Sequence, residues 1–132
     1  MKNLQSIIFS KVSIFFIIGL FGLAINLLSF SFYINIFNPV FSSFLAFSTA
    51  VGWAYFCHSK FLWTVHSIEV LKPSNFIKFY SGYSISMTVN LLVVYFFQDN
   101  VDRIIYFQFL GIVIGSIFNF FVSKFVFTQH LK

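Results

Sequence analysis

Acidic residues are nearly missing from this chain: it has three in 132 residues, against eight lysines and arginines. Glu69 lies in the only plausible linker, residues 65–75, broken by Pro73, and Asp99 and Asp102 sit three apart on a short polar stretch, where a solvated loop is expected. No carboxylate therefore falls inside a long apolar run. That argues against a proton-coupled antiporter, which uses an intramembrane acid to bind proton and cation in turn. Cysteine occurs once, at Cys57, which excludes an internal disulfide and a cysteine metal cluster and leaves a small apolar packing residue. His58, His66 and His130 have no carboxylate at a ligand spacing, so interfacial polar positions are expected for them rather than metal binding. No Ser/His/Asp arrangement, paired carboxylates or Gly-rich phosphate loop can be assembled. The sequence thus points away from an enzyme and implies no cofactor.

What is present is apolar. The chain is 59% hydrophobic and 8% charged, with 23 phenylalanines and a mean hydropathy of +0.92. A soluble domain of this size needs far more charge and cannot hide so many rings. The excess charge of +5 is spread between apolar runs rather than gathered into a stripe, so no nucleic-acid partner is expected. Four uncharged runs, 12–34, 40–59, 79–98 and 104–123, each approach the ~20 residues that cross a ~30 Å hydrocarbon layer as a helix. Helix is the required state, because an isolated span must satisfy its own backbone hydrogen bonds. The dyad alternation of a membrane barrel is missing, and four strands could not close one. The first run is too long for a signal-peptide core and no small-residue cleavage site follows it. The expectation is a single-domain, all-α integral membrane protein with four transmembrane helices, surrounded by membrane lipids.

The basic residues orient it. Lys2, Lys11, Lys60, Lys72, Lys78, Lys124 and Lys132 all fall on one side of a four-span topology, and only Arg103 on the other. The positive-inside rule puts both termini and the middle loop in the cytosol. The chain also repeats itself. "SKFLWT" at 59–64 returns as "SKFVFT" at 123–128, and at the same offset of 64 Asn26-Leu27-Leu28 falls on Asn90-Leu91-Leu92 and Phe15 on Phe79. Two such triplets in one register indicate a duplicated two-helix hairpin, with halves at about 11–66 and 75–130. Each unit crosses twice, so the two repeats are parallel and related by an axis along the membrane normal.

Polar and small residues recur at helical spacing. Gly19, Gly22, Asn26, Ser29 and Tyr33 share one face of helix 1; Tyr83, Ser86 and Asn90 do so on helix 3; Gln108, Gly111, Gly115 and Asn119 on helix 4; Ser43, Ala46 and Ala50 on helix 2. These faces are expected to turn inward. Two roles stay open for them. They pack helices, small residues allowing close approach and amides bonding across, or Asn26, Asn90, Asn119, Gln108 and Ser86 line a polar path. Asn26 lies about 22 Å along the helix from Lys11 at 1.5 Å per residue. Lys60 and Lys124, equivalent in the two repeats, likewise have two readings. They anchor helix depth by snorkelling, or they converge on a lipid phosphate, with Lys11 and Lys78 on the same side.

Three motifs resemble the GtrA-like family of four-helix membrane proteins: "FFIIG" at 15–19, "KFY" at 78–80 and "NFFVSKFVF" at 119–127. In this chain Ile14 precedes Phe15 where the family carries a basic residue, and Tyr55 stands where the second repeat has Asn119. The resemblance implies translocation of a polyprenyl-phosphate-linked monosaccharide across the cytoplasmic membrane for cell-surface polysaccharide synthesis. It equally allows a non-transporting accessory subunit that binds the lipid-linked sugar or scaffolds a membrane glycosyltransferase. Four short helices make a thin wall for a sugar path, so a homodimer suits either role.

Overall fold

The computed structural model describes residues 4–62 and 73–129, with side chains between 13 and 61 and between 73 and 119, Ser59 and Asn75 excepted. Helix α1 spans Leu4–Tyr33. It begins well before the apolar run because no proline or glycine interrupts residues 4–18, so Lys11 sits within the helix. A tight turn follows, closed by Phe37 N–H donating to Tyr33 O at 2.9 Å. Asn38 then caps α2 (Pro39–Cys57): its backbone is extended (φ −65°, ψ 159°) and its side chain accepts from Phe41 N–H at 2.9 Å. Pro39 occupies the first turn, where a missing N–H costs nothing.

Helix α2 does not run on to Ser59 as an α-helix. It passes at His58 into a π-helical turn, His58–Leu62. Helix α3 spans Pro73–Phe97; Pro73, expected as a linker breaker, is its first residue. A 3₁₀ turn, Val101–Arg103, leads into α4, Ile104–Gln129. Across that turn Phe97 and Phe107 stack with centroids 4.1 Å apart. Asp99 and Asp102 are both exposed.

Among the described residues, Ser13–Tyr33, Pro39–Cys57 and Val101–Asn119 are long and apolar enough to cross a membrane. Helix α3 is long enough, at 25 residues, but its serines, tyrosines, Thr88 and Asn90 lower its hydropathy below the other three. Such a helix is tolerated where its polar face is turned onto neighbouring helices, and the packing does that. The hairpins α1–α2 and α3–α4 are the most extensive pairings, α2–α3 joins them, and α1–α4 is the sparsest of the four seams. The outward surfaces suit lipid: Leu28 and Phe96 are each 72% exposed. Toward the end of the bundle that carries the two short turns, Phe30, Ala46, Val94 and Ile104 form a buried cluster. Phe30 and Val94 are equivalent at the repeat offset.

The four helices make an all-α membrane protein, as expected, and the inward faces fall largely where the spacing put them. Ser43, Ala46, Ser86, Asn90, Gln108, Gly111 and Gly115 are buried, whereas Gly19 is exposed. Cys57 is buried, as a packing residue should be.

Candidate functional site

One polar side chain from each helix meets at the centre of the bundle. Asn90 Nδ2 (α3) donates to Ser43 Oγ (α2) at 2.8 Å, and Ser43 donates to Gln108 Oε1 (α4) at 2.7 Å. Gln108 Nε2 in turn donates to Asn26 Oδ1 (α1) at 2.6 Å. Asn26 is 2% exposed and the other three are fully buried. This chain of bonds is a polar girdle across the bundle centre, its Ser43–Gln108 link joining the diagonally opposite α2 and α4. Lipid offers no competing partner for an amide, so a polar group turned outward here would go unsatisfied.

The girdle is asymmetric although Asn26 and Asn90 are repeat equivalents. The repeat offset matches Ser43 to Phe107 and Gln108 to Phe44, so the two halves contribute different third and fourth members. Asn90 Oδ1 is left without a hydrogen-bond partner. It faces Gly111, where an added Cβ would collide with it and lie 3.1 Å from Asn90 Cα. One turn along, a Cβ on Gly115 would stand 3.0 Å from the Ser86 carbonyl oxygen. The two glycines thus let α4 approach α3 backbone to backbone, the small-xxx-small device of membrane helix pairs. The Ser86 hydroxyl donates to Gly115 O at 2.7 Å and also lies against the Asn119 side-chain oxygen. A hydroxyl has one proton, so turning the Asn119 amide to present its NH₂ to Ser86 satisfies both contacts.

The α1–α4 seam is different. Below the girdle, toward the end of the bundle that carries the termini, it holds a cleft of about 120 Å³. Gly19, Gly22 and Asn26 form its α1 wall, Ser116 and Asn119 its α4 wall, and Val51 and Ala54 of α2 its back. Phe15, His58 and Tyr83 close its lower end. From Phe15 to Asn26 the cleft extends about 16 Å along α1, roughly half the hydrocarbon thickness. A Cβ added to Gly19 or Gly22 would meet nothing within 4 Å. These glycines therefore leave room in the cleft, whereas Gly111 and Gly115 remove it. Gly19 and Ser116 are exposed, so the cleft opens sideways on the helix surface.

His58 was expected at the interface; it is instead 3% exposed. Its ring is held edge-on between Phe15 (centroids 5.3 Å apart) and Phe79 (5.6 Å), and its Nδ1 is buried with no hydrogen-bond partner. The reason is the helix register: His58 continues the 4, 3, 4 spacing of Phe47, Val51 and Ala54 on the inward face of α2. That spacing was visible in the sequence, but the repeat concealed it, because the equivalent position holds Val122. His66 and His130 lie outside the described residues.

Of the residues proposed for a polar path, Asn26 and Asn119 line the cleft, while Asn90, Gln108 and Ser86 are buried and engaged between helices. The described basic side chains do not enter it. Lys60 is exposed, with Nζ 5.3 Å from the centre of the Phe56 ring, a cation–π distance. Lys78 is exposed near the start of α3. The side chains of Lys11 and Lys124 lie outside the described residues, and with them the suggested convergence of Lys60 and Lys124.

Comparison with known proteins bears on what such a bundle is. No curated protein and no solved structure matches the chain. The family model of the GtrA/DPMS transmembrane domain, however, matches residues 14–128, which takes in all four helices, the girdle and the cleft. The chain therefore belongs to the GtrA/DPMS transmembrane domain family.

Proposed function

We propose that this protein moves a polyprenyl-phosphate-linked monosaccharide across the cytoplasmic membrane, with both termini in the cytosol, to supply cell-surface polysaccharide synthesis. The observation that carries this reading is the side-opening cleft in the α1–α4 seam. An amphiphile with a long prenyl tail needs a site that shelters its polar head while the tail stays in lipid. A laterally open cleft half the depth of the bilayer, with amide and hydroxyl groups set into apolar walls, has that form. The lysine-rich end of the bundle lies just beyond the closed lower end of the cleft, where Lys60, Lys78, Lys11 and Lys124 can hold the phosphate among headgroups. Passage beyond the cleft requires the Gln108–Asn26 bond to part, and that bond sits in the sparsest seam of the bundle.

The closed girdle favours one second reading. If the seam never opens, the protein binds the lipid-linked sugar and presents it to a membrane glycosyltransferase, alone or as a homodimer. Reconstitution separates the two. Proteoliposomes holding only this protein are expected to take up a short-chain polyprenyl-phosphate sugar into a protected lumen, while empty vesicles do not. Tight binding without uptake would replace the flippase reading with the accessory one.

A further inference from the structure

A residue lining the cleft carries a buried polar atom with nothing to bond, and its surroundings specify what should bond to it. We propose that His58 and the cleft above it form the sugar subsite, holding one neutral, hydroxylated six-membered ring with a hydroxyl on His58 Nδ1. This rests on the lipid-linked-sugar reading above and assigns its polar head a place.

Four observations lead there. First, the His58 side chain is 97% buried by its 3% exposure, lines the cleft, and leaves Nδ1 unpartnered. Buried polar atoms are rarely left so, and an orphan beside an open cleft marks a place where a ligand supplies the bond. Second, the ring is fixed by Phe15 and Phe79 and stands at the first residue of a π-helical turn, a backbone feature that often accompanies functional sites. Its aim is therefore set before any ligand arrives.

Third, the chemistry of the wall selects the ligand. Among the described residues neither lysine nor arginine lines the cleft; its polar members are Asn26, Asn119, Ser116, Tyr83 and His58. A phosphate drawn into this apolar setting would lose its hydration with no cation among the described lining residues to replace it. A sugar hydroxyl both donates and accepts, so it fits Nδ1 in either tautomer of the imidazole and fits the amides as well. Fourth, the size is that of one ring. A cleft of about 120 Å³, smaller than the ~150 Å³ engineered cavity that accepts benzene, holds at most one sugar ring, part of it in the side opening, and no disaccharide. The phosphate then remains among the exposed lysines and the prenyl chain leaves through the opening at Gly19 and Ser116.

The test is binding by the full chain in nanodiscs of farnesyl phosphate and of farnesyl phosphate bearing glucose, galactose or N-acetylglucosamine. For at least one sugar, wild type is expected to bind about tenfold more tightly than to farnesyl phosphate, the worth of one or two net hydrogen bonds. His58→Phe keeps the aromatic shape and removes Nδ1. It should abolish that increment while leaving the farnesyl phosphate Kd unchanged, a result that a merely misfolded variant could not give. Gly22→Leu is the second variant: it fills the cleft from a position with open space, and leucine favours helix over glycine. It should lose the increment while unfolding no more easily than wild type. An increment that survives either substitution overturns the sugar subsite and leaves the lipid-carrier reading intact. Farnesyl phosphate binding without an increment for any sugar overturns the subsite too. Wild type that binds neither lipid overturns both readings.

Discussion

Two glycine substitutions of the same kind should move stability in opposite directions, because the space beside them differs. In Gly111→Ala the new Cβ runs into the Asn90 amide and lies 3.1 Å from Asn90 Cα, against the ~3.5–4.0 Å of an ordinary carbon contact. The amide cannot simply swing away, since its Nδ2 is bonded to Ser43, and Cα can retreat only if α3 moves off α4. Overpacking of this sort costs about 1–3 kcal/mol. A broken interhelical hydrogen bond in a membrane adds about 0.6 kcal/mol on average. The gain in helix propensity offsets up to about 1 kcal/mol. With the full offset, the net expectation is destabilisation by about 0.6–2.6 kcal/mol. Gly22→Ala meets nothing within 4 Å and should stabilise by about 0.4–1 kcal/mol. Equilibrium unfolding of both variants in mixed micelles, followed by circular dichroism, reads the difference. If Gly111→Ala were as stable as Gly22→Ala, the close α3–α4 contact would be wrong, and the reasoning about the girdle with it.

Other perturbations probe other parts of the same architecture. Gln108→Leu removes the residue that links Ser43 to Asn26 and should cost about 1–3 kcal/mol by stranding buried partners. In a double-mutant cycle with Asn26→Leu the coupling should be about 0.6–1.7 kcal/mol, and zero coupling would refute the bond. Asn38→Ala should cost about 1 kcal/mol through the lost α2 cap, whereas Asn38→Asp, which keeps the acceptor, should unfold near wild type in the same assay. For orientation, green fluorescent protein fused after Lys132 should fluoresce, and alkaline phosphatase fused after Asn100 should be active; the reverse pattern would invert the topology.

Much of this protein follows from the sequence through the demands of its solvent. Lipid provides no partner for a backbone amide or a side-chain amide, so long uncharged runs have to be helices and their Asn, Gln, Ser and Gly faces have to turn toward one another. For that reason the four helices, the duplicated hairpin and the burial of Ser43, Ser86, Asn90 and Gln108 were legible from spacing alone. Spacing names a face, however, and not the residue opposite it. Only the packing decided that Gln108 reaches Asn26 and Ser43, because that depends on how far each helix slides along its neighbour. Glycines at helical spacing took opposite roles for the same cause. Gly111 and Gly115 face α3 at contact distance, whereas Gly19 and Gly22 face a seam that stays open. His58 shows the limit most directly: with no carboxylate at a ligand spacing, and with Val122 at its repeat position, it was expected at the interface. The continued helical register and the two flanking phenylalanine rings carried it inward, and a buried, unpartnered nitrogen on a cleft-lining residue exists only once three helices have been brought together.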